Sequence, residues 1–462
     1  MPIYWACSTS VRTQNTLLLL LSLGLLYYVK PSALWSVLGY SIFIATLDNF
    51  LSDDVDEEER QSALPQKLLT IGIIGSLLFL ASMKYFDDYA PILRTLGLIE
   101  TLDLVMPLGL SYYTFQAISY LIERYRGNLQ PLPYPELLLY FSFFPTITAG
   151  PIARAHTFKS ALGEQQGMYS LLTEERELSQ PTKGIVLILL GLLKAWVLSA
   201  WVASAWVRPV FENPMDFSAF QQLSAWYGYT FQLYFDFSGY SDLVCGLALL
   251  LGFSLPTNFH SPLNARNIQD FWSRWHISLS TWIRDYIYIP LGGSRHGFTR
   301  TQINLIIAFT LSGIWHGSSV NFMLWGLLHG LALIIFNIWR KSLPTQSTLP
   351  APLASFMAWF LTFHFVVLSF VIFRTHHWQD LIHLIKALWQ SDKPNLLEDL
   401  APIIVLLVYL ALNPIRQSLR QKLPLWWSYL PTWLWFLPLS LAFTLLILLA
   451  PEGIPEFIYA NF

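Results

Sequence analysis

Apolar runs of membrane length recur along the whole chain, separated by short polar breaks. Crossing about 30 Å of hydrocarbon takes roughly 20 mostly apolar helical residues. The pattern predicts helices over Asn15–Val29, Ala33–Leu51, Leu68–Phe86 and Asp103–Ile122, then Gly184–Val207, Phe220–Phe235 and Phe237–Phe253. Further runs are Asn304–Ile314, Val320–Trp339, Leu353–Phe373, Leu400–Leu412 and Trp433–Leu449. A shorter run, Leu137–Ile152, is broken by Pro145, Gly150 and Pro151. Short runs are expected to tilt, to re-enter, or to sit where protein satisfies a broken backbone. The first run lacks a strongly basic leader and a clear small-residue cleavage site, and a second follows at once. It reads as an uncleaved first transmembrane helix.

The polar stretches are few. Ser52–Gln66, with Asp53, Asp54, Asp56, Glu57, Glu58 and Glu59, and the mixed-charge stretch Arg154–Lys183 are expected to be solvated loops. No internal repeat is visible, so an inverted-repeat transporter gains no support. The even spread of Lys and Arg sets no orientation. Two segments look amphipathic. Trp378, Leu381, Ile382, Ile385, Leu388 and Trp389 recur at helical spacing, as in a helix lying at the membrane interface. In Asp270–Pro290, a continuous helix places Phe271, Trp275, Leu279, Trp282, Ile283 and Tyr286 on one arc, with His276 at its edge.

Composition narrows the class. Only 12% of the residues are charged and 54% are hydrophobic, against about 25% charged in ordinary soluble chains. A soluble fold of 462 residues could not cover its surface with so few polar side chains. One membrane-embedded unit covering residues 1–462 is therefore expected, rather than several soluble domains. The net charge of −2 carries no basic footprint for nucleic acid. Cys7 and Cys245 form neither a CxxC nor a zinc spacing, and no metal site is expected.

Histidine carries the candidate chemistry. An imidazole at membrane depth is costly and points to function. His316 ends the apolar run from Asn304, with Ser312 one turn earlier on the same face and Gly313 and Gly317 four residues apart. His276 lies one turn after Trp272; spacing alone also allows a partly solvated surface histidine there. His329, between Leu328 and Gly330, and His364, between two phenylalanines, fit structural bridging. There is no HExxH zinc pattern and no GxSxG elbow. General base catalysis remains: a neutral imidazole takes a proton from a hydroxyl as that oxygen attacks an activated acyl carbonyl. Excluding water protects the acyl donor from hydrolysis. Asp236, Arg284, Asp285 and Ser312 are further candidates for contacting substrate or orienting the imidazoles.

Four blocks make the sequence resemble the membrane-bound O-acyltransferase family, in particular its bacterial branch with the membrane subunit of alginate O-acetylation. They are Pro107 to Gln116; Phe143-Phe144-Pro145 through Gly150-Pro151-Ile152; Phe235 to Asp242 with Asn258-Phe259 and Asp270 through Gly293; and Gly313-Ile314-Trp315-His316-Gly317 with Trp325-Gly326 and His329-Gly330. The resemblance implies an all-α polytopic fold, with about eleven transmembrane helices plus re-entrant and interfacial helices around a central tunnel. It implies His316 as the catalytic histidine and His276 as the second functional polar position. It implies a cytoplasmic thioester donor, acetyl-CoA or an acyl-carrier thioester, and no bound cofactor. It also implies a cell-membrane location and an exported acetyltransferase partner that passes the acyl group to a polysaccharide. D-alanyl transfer to teichoic acid, by a related branch, and a non-enzymatic channel or transporter are the alternatives.

Overall fold

The computed structural model describes residues 1–51, 63–98, 106–342, 350–375, 377–390 and 396–451. The acidic stretch 52–62 and most of the run before Met106 lie outside the described residues. The fold is helical, apart from a two-stranded antiparallel hairpin, Phe158–Ser160 with Gly163–Gln165, among the described residues. That hairpin and the helix Met168–Thr173 structure the stretch expected to be a plain loop. Six described helices are long and apolar enough to cross a membrane: Pro31–Phe50, Leu64–Lys84, Pro181–Glu212, Val320–Ser342, Ala351–Arg374 and Thr432–Leu449. Pro402–Ala411 and Asn413–Ser428 form a pair bent by 57° that can make a seventh.

The chain divides into two compact units. The first comprises Met1–Pro181 and Leu247–Pro256. Its helix Val11–Val29 starts at Ser10, whose side chain accepts from the Thr13 amide. Gln14, Asn15 and Ser22 are buried while Leu20 and Tyr28 are exposed, the reverse of a soluble helix. Polar groups turn inward because protein, not lipid, can satisfy them. Arg124, for example, donates through Nε to Asp48 Oδ1 at 2.6 Å and through Nη1 to the Leu129 carbonyl at 2.6 Å. Gly109 opens the helix Leu110–Tyr125 at φ 79°, where a Cβ would lie 2.3 Å from the Ile147 carbonyl oxygen. Glycine thus lets the first motif block lie against the second.

The second unit comprises Thr182–Gly246 and Thr257–Phe462. Here the runs Phe220–Phe235 and Phe237–Phe253, read from the sequence as separate segments, are largely one 32-residue helix, Ala219–Leu250. Asp236, Ser238, Ser241 and Asp242 interrupt its hydropathy but not its backbone, because all four are buried against protein. Gly239 packs on Gly191, and Gly246 on Gly184; a Cβ at either Gly239 or Gly246 would meet a backbone oxygen at 2.8 or 2.5 Å. Such small-residue seams let helix backbones touch. Gly297–His316 and Val320–Ser342 form a helical hairpin that closes at Gly313 and Gly326. The amphipathic helix forms as Trp378–Gln390, but its buried stripe is Leu381, Leu384 and Ala387. Trp378, Ile385 and Trp389, expected on the apolar face, are exposed.

Candidate active site

The segment expected to be one amphipathic helix from Asp270 is broken. Ile268–Trp272 is a short helix capped by Asn267, whose side chain accepts from the Asp270 amide at 2.7 Å. The chain then turns, and a second helix, Ile277–Ile283, begins after His276 and runs into a π-helical turn, Arg284–Tyr288. His276 sits in the turn at φ 42°, a left-handed conformation that costs a non-glycine residue of order 1–3 kcal/mol. The break corrects the wheel. His276 is not at the wet edge of a helix but 1% exposed. Phe271, Trp275, Leu279 and Trp282 are buried all the same, because the turn re-aims both helices into the unit.

Asn258 holds this turn. Its carbonyl accepts from the Ile277 amide at 3.0 Å, and the neighbouring His260 amide donates to the Arg274 carbonyl at 2.9 Å. Its side-chain Oδ1 accepts from the Ser278 amide at 3.2 Å and the Ser278 hydroxyl at 2.9 Å, and faces His276 Nδ1 at 3.1 Å. The Phe237 ring meets the imidazole edge-on at 4.7 Å. His276 lies outside the spanning helices, and burial pushes its pKa down to about 3. The imidazole is therefore neutral at physiological pH.

His316 is the last residue of its helix, followed by Gly317 in extended conformation. It is 4% exposed. The rings of Phe373 and Trp325 stand perpendicular to it at 5.0 and 5.3 Å, and Phe322 lies at 6.3 Å. Ser312 is buried one turn earlier, as the spacing indicated. Gly313 admits the partner helix: a Cβ there would lie 2.3 Å from the Phe322 carbonyl oxygen. Trp325 also packs on His329 at 4.8 Å, and His329 on Trp272 at 5.1 Å, so aromatic packing runs from His316 to the Ile268–Trp272 helix.

His329 bridges helices. The Trp272 indole donates to its Nδ1 at 3.2 Å. Ser369 Oγ, which donates to the Val366 carbonyl, accepts from its Nε2 at 3.1 Å. Both ring nitrogens are used, which suits a structural role. His364 Nδ1 faces the Phe360 carbonyl at 2.8 Å in its own helix, as expected of a structural residue. Arg284 and Asp285 make a bidentate pair with each other, at 2.6 and 3.0 Å, with the arginine side chain 43% exposed. Asp236 is buried next to Phe237, the ring that packs on His276.

One ionic cluster, built around the buried Asp242, escaped the sequence reading. Lys194 Nζ lies 2.5 Å from Asp242 Oδ2, and Arg420 Nη2 lies 2.6 Å from Asp242 Oδ1. Lys194 also donates to Ser238. It sits in a π-helical stretch, Leu193–Ser199, a distortion frequent at functional sites. The available signal was a lone cation inside an apolar run, which is expensive without a partner.

A family profile for membrane-bound O-acyltransferases matches residues 84–375, which contain all four motif blocks and both His276 and His316. The chain belongs to the membrane-bound O-acyltransferase family. It is therefore an O-acyltransferase and a multi-pass membrane protein. Among relatives, the peptidoglycan O-acetyltransferase of Helicobacter pylori is 31% identical, over 77% of this chain and 71% of its own. The probable alginate O-acetylase of Pseudomonas aeruginosa is 30% identical, over 89% of this chain and 78% of its own. The teichoic acid D-alanyltransferase of Bacillus subtilis is 31% identical, over 59% of this chain and 69% of its own. In this O-acyltransferase, the family match contains the turn that buries His276 and the helix end that carries His316.

Proposed function

We propose that the protein transfers an acetyl group from a cytoplasmic thioester, acetyl-CoA or an acyl-carrier thioester, for O-acetylation of an exported glycan such as alginate. His316 acts as general base. Its neutral imidazole takes the acceptor's hydroxyl proton while the oxygen attacks the thioester carbonyl. The C–S bond then breaks, and the departing thiolate takes the proton. The observation that carries this reading is the placement of His316 at a buried helix end walled by Phe322, Trp325 and Phe373. Such a wall excludes the water that would hydrolyse the donor. His276 supplies a second neutral imidazole; Asp236, Arg284, Asp285 and Ser312 are candidates for substrate contact.

The reading requires about eleven spans around a tunnel. Besides the six apolar helices and the bent pair, Val11–Val29, Ala219–Leu250 and Gly297–His316 have 19, 32 and 20 residues, enough to contribute. It places the protein in the cytoplasmic (inner) membrane, working with an exported acetyltransferase and the glycan machinery. D-alanyl transfer is the second reading. The acetyl branch is favoured because its relatives align over 77% and 89% of this chain, the D-alanyl relative over 59%. The test is His316→Ala, assayed for polymer O-acetylation in cells. Normal membrane insertion with acylation reduced by at least about 10²-fold is expected for loss of a general base; wild-type acylation refutes the role. D-alanine rather than acetate on the envelope polymer would select the second reading.

A further inference from the structure

We propose that Asn258 is a positioning residue that fixes the His276 imidazole as its Nδ1–H tautomer and leaves Nε2 as the proton-accepting atom. The inference rests on the reading that His276 serves the acyl-transfer site. The first step is the orientation of the amide. The Ser278 backbone N–H can only donate, so the Asn258 atom it meets at 3.2 Å is the oxygen. The other end agrees: Asn258 Nδ2 faces the Ser241 hydroxyl at 3.4 Å. An amide oxygen only accepts, so the His276 nitrogen 3.1 Å from it must carry the proton. In a neutral ring Nε2 is then bare. That nitrogen is buried and meets no hydrogen-bond partner among the described residues.

An unmet acceptor in a residue only 1% exposed calls for an explanation. The backbone is held in the left-handed region to aim this ring, at φ 42°. His329 offers the internal contrast. It receives a proton at Nδ1 from Trp272 and gives one from Nε2 to Ser369, so it is the opposite tautomer with nothing to spare. Two buried histidines in one unit are thus set in opposite tautomers by their neighbours, and only the one held by Asn258 keeps a lone pair open. Phe237 and Asn258, which meet the His276 ring, carry no ionic charge, and burial lowers its proton affinity.

The test uses the full chain in lipid bilayers with 15N-labelled histidine, read by solid-state NMR at pH 7. His276 is assigned by the signal lost in His276→Gln. We expect a protonated Nδ1 and a bare Nε2 in the wild type. Asn258→Asp keeps the acceptor and the tautomer, and the new carboxylate raises the pH at which the ring takes its second proton by about one unit or more. Asn258→Leu removes the acceptor and lets the Nε2–H form appear. Acetyl transfer from radiolabelled acetyl-CoA is expected to fall about 10- to 100-fold in kcat for the leucine variant, with KM changed less than about threefold. The aspartate variant stays active and its acid limb moves to higher pH. A protonated Nε2 in the wild type overturns the proposal. So does an aspartate variant whose ring titrates unchanged, a readout that stands even if the leucine variant fails to fold. The expected spectra with a fully active His276→Gln protein would sink the catalytic reading alone.

Discussion

Replacing Gly326 with alanine tests how the helical hairpin sets the geometry at His316. A Cβ at this position would lie 2.3 Å from the Phe309 carbonyl oxygen and 3.1 Å from the Gly313 backbone. An ordinary carbon–oxygen contact is about 1 Å longer than the first of these distances. Backbone cannot rotate away, so the two helices must part by roughly that much. Overpacking of this kind costs about 1–3 kcal/mol, and the better helix propensity of alanine returns at most about 1 kcal/mol. The displaced helix carries Trp325, whose ring stands 5.3 Å from His316. A shift of about 1 Å in a catalytic group can cost about 10²-fold in rate. Gly326→Ala should therefore insert normally, unfold a few degrees earlier in detergent, and lose about 10²-fold in polymer acetylation with His316 intact. Gly330→Ala is the control one turn on: its Cβ would meet Ile306 Cα at 3.3 Å and Phe309 Cβ at 3.5 Å, about 1 Å looser than the nearest contact at Gly326. It should change stability by less than about 1 kcal/mol. Wild-type stability and rate for Gly326→Ala, or equal losses at both glycines, would refute the reasoning.

Further outcomes follow from the same geometry. His276→Gly should be more stable than His276→Ala by about 1 kcal/mol in thermal unfolding, since only glycine adopts the left-handed turn without strain, and both should lose acylation. The His276 pKa is depressed by burial, so its contribution to stability is present above the unfolded value near 6.5 and is lost as pH falls from there towards 3; a stability-against-pH series should show a shallower acid decline for His276→Gln. Asp242→Asn takes the carboxylate from Lys194 and from the partly exposed Arg420 and should cost about 1–3 kcal/mol. Lys194→Met leaves Arg420 paired with Asp242 and should cost less, as read by detergent denaturation of the two variants side by side.

The amino-acid sequence alone determined that this protein lives in a membrane, because the scarcity of charge and the length of the apolar runs leave no soluble alternative. It also singled out His316 and the Ser312–Gly313 face behind it, since a helix keeps residues one turn apart on one side whatever surrounds it. The structural fates of His329 and His364 were legible for a similar reason: each lies within a regular helix. Where the helix breaks, that legibility ended. His276 read as the edge of a wheel because periodicity assumes an unbroken helix, and no local signal showed that Asn258, eighteen residues earlier, would clamp the chain into a left-handed turn. Conversely, Asp236 read as the break between two spans, although burial of its carboxylate against protein keeps one helix continuous. The partners of Lys194 come from elements far along the chain, Asp242 and Arg420. Tertiary packing decided these points because hydropathy records only whether a side chain prefers lipid or water. Which distant hydrogen bond makes a buried polar group affordable is settled when the helices meet.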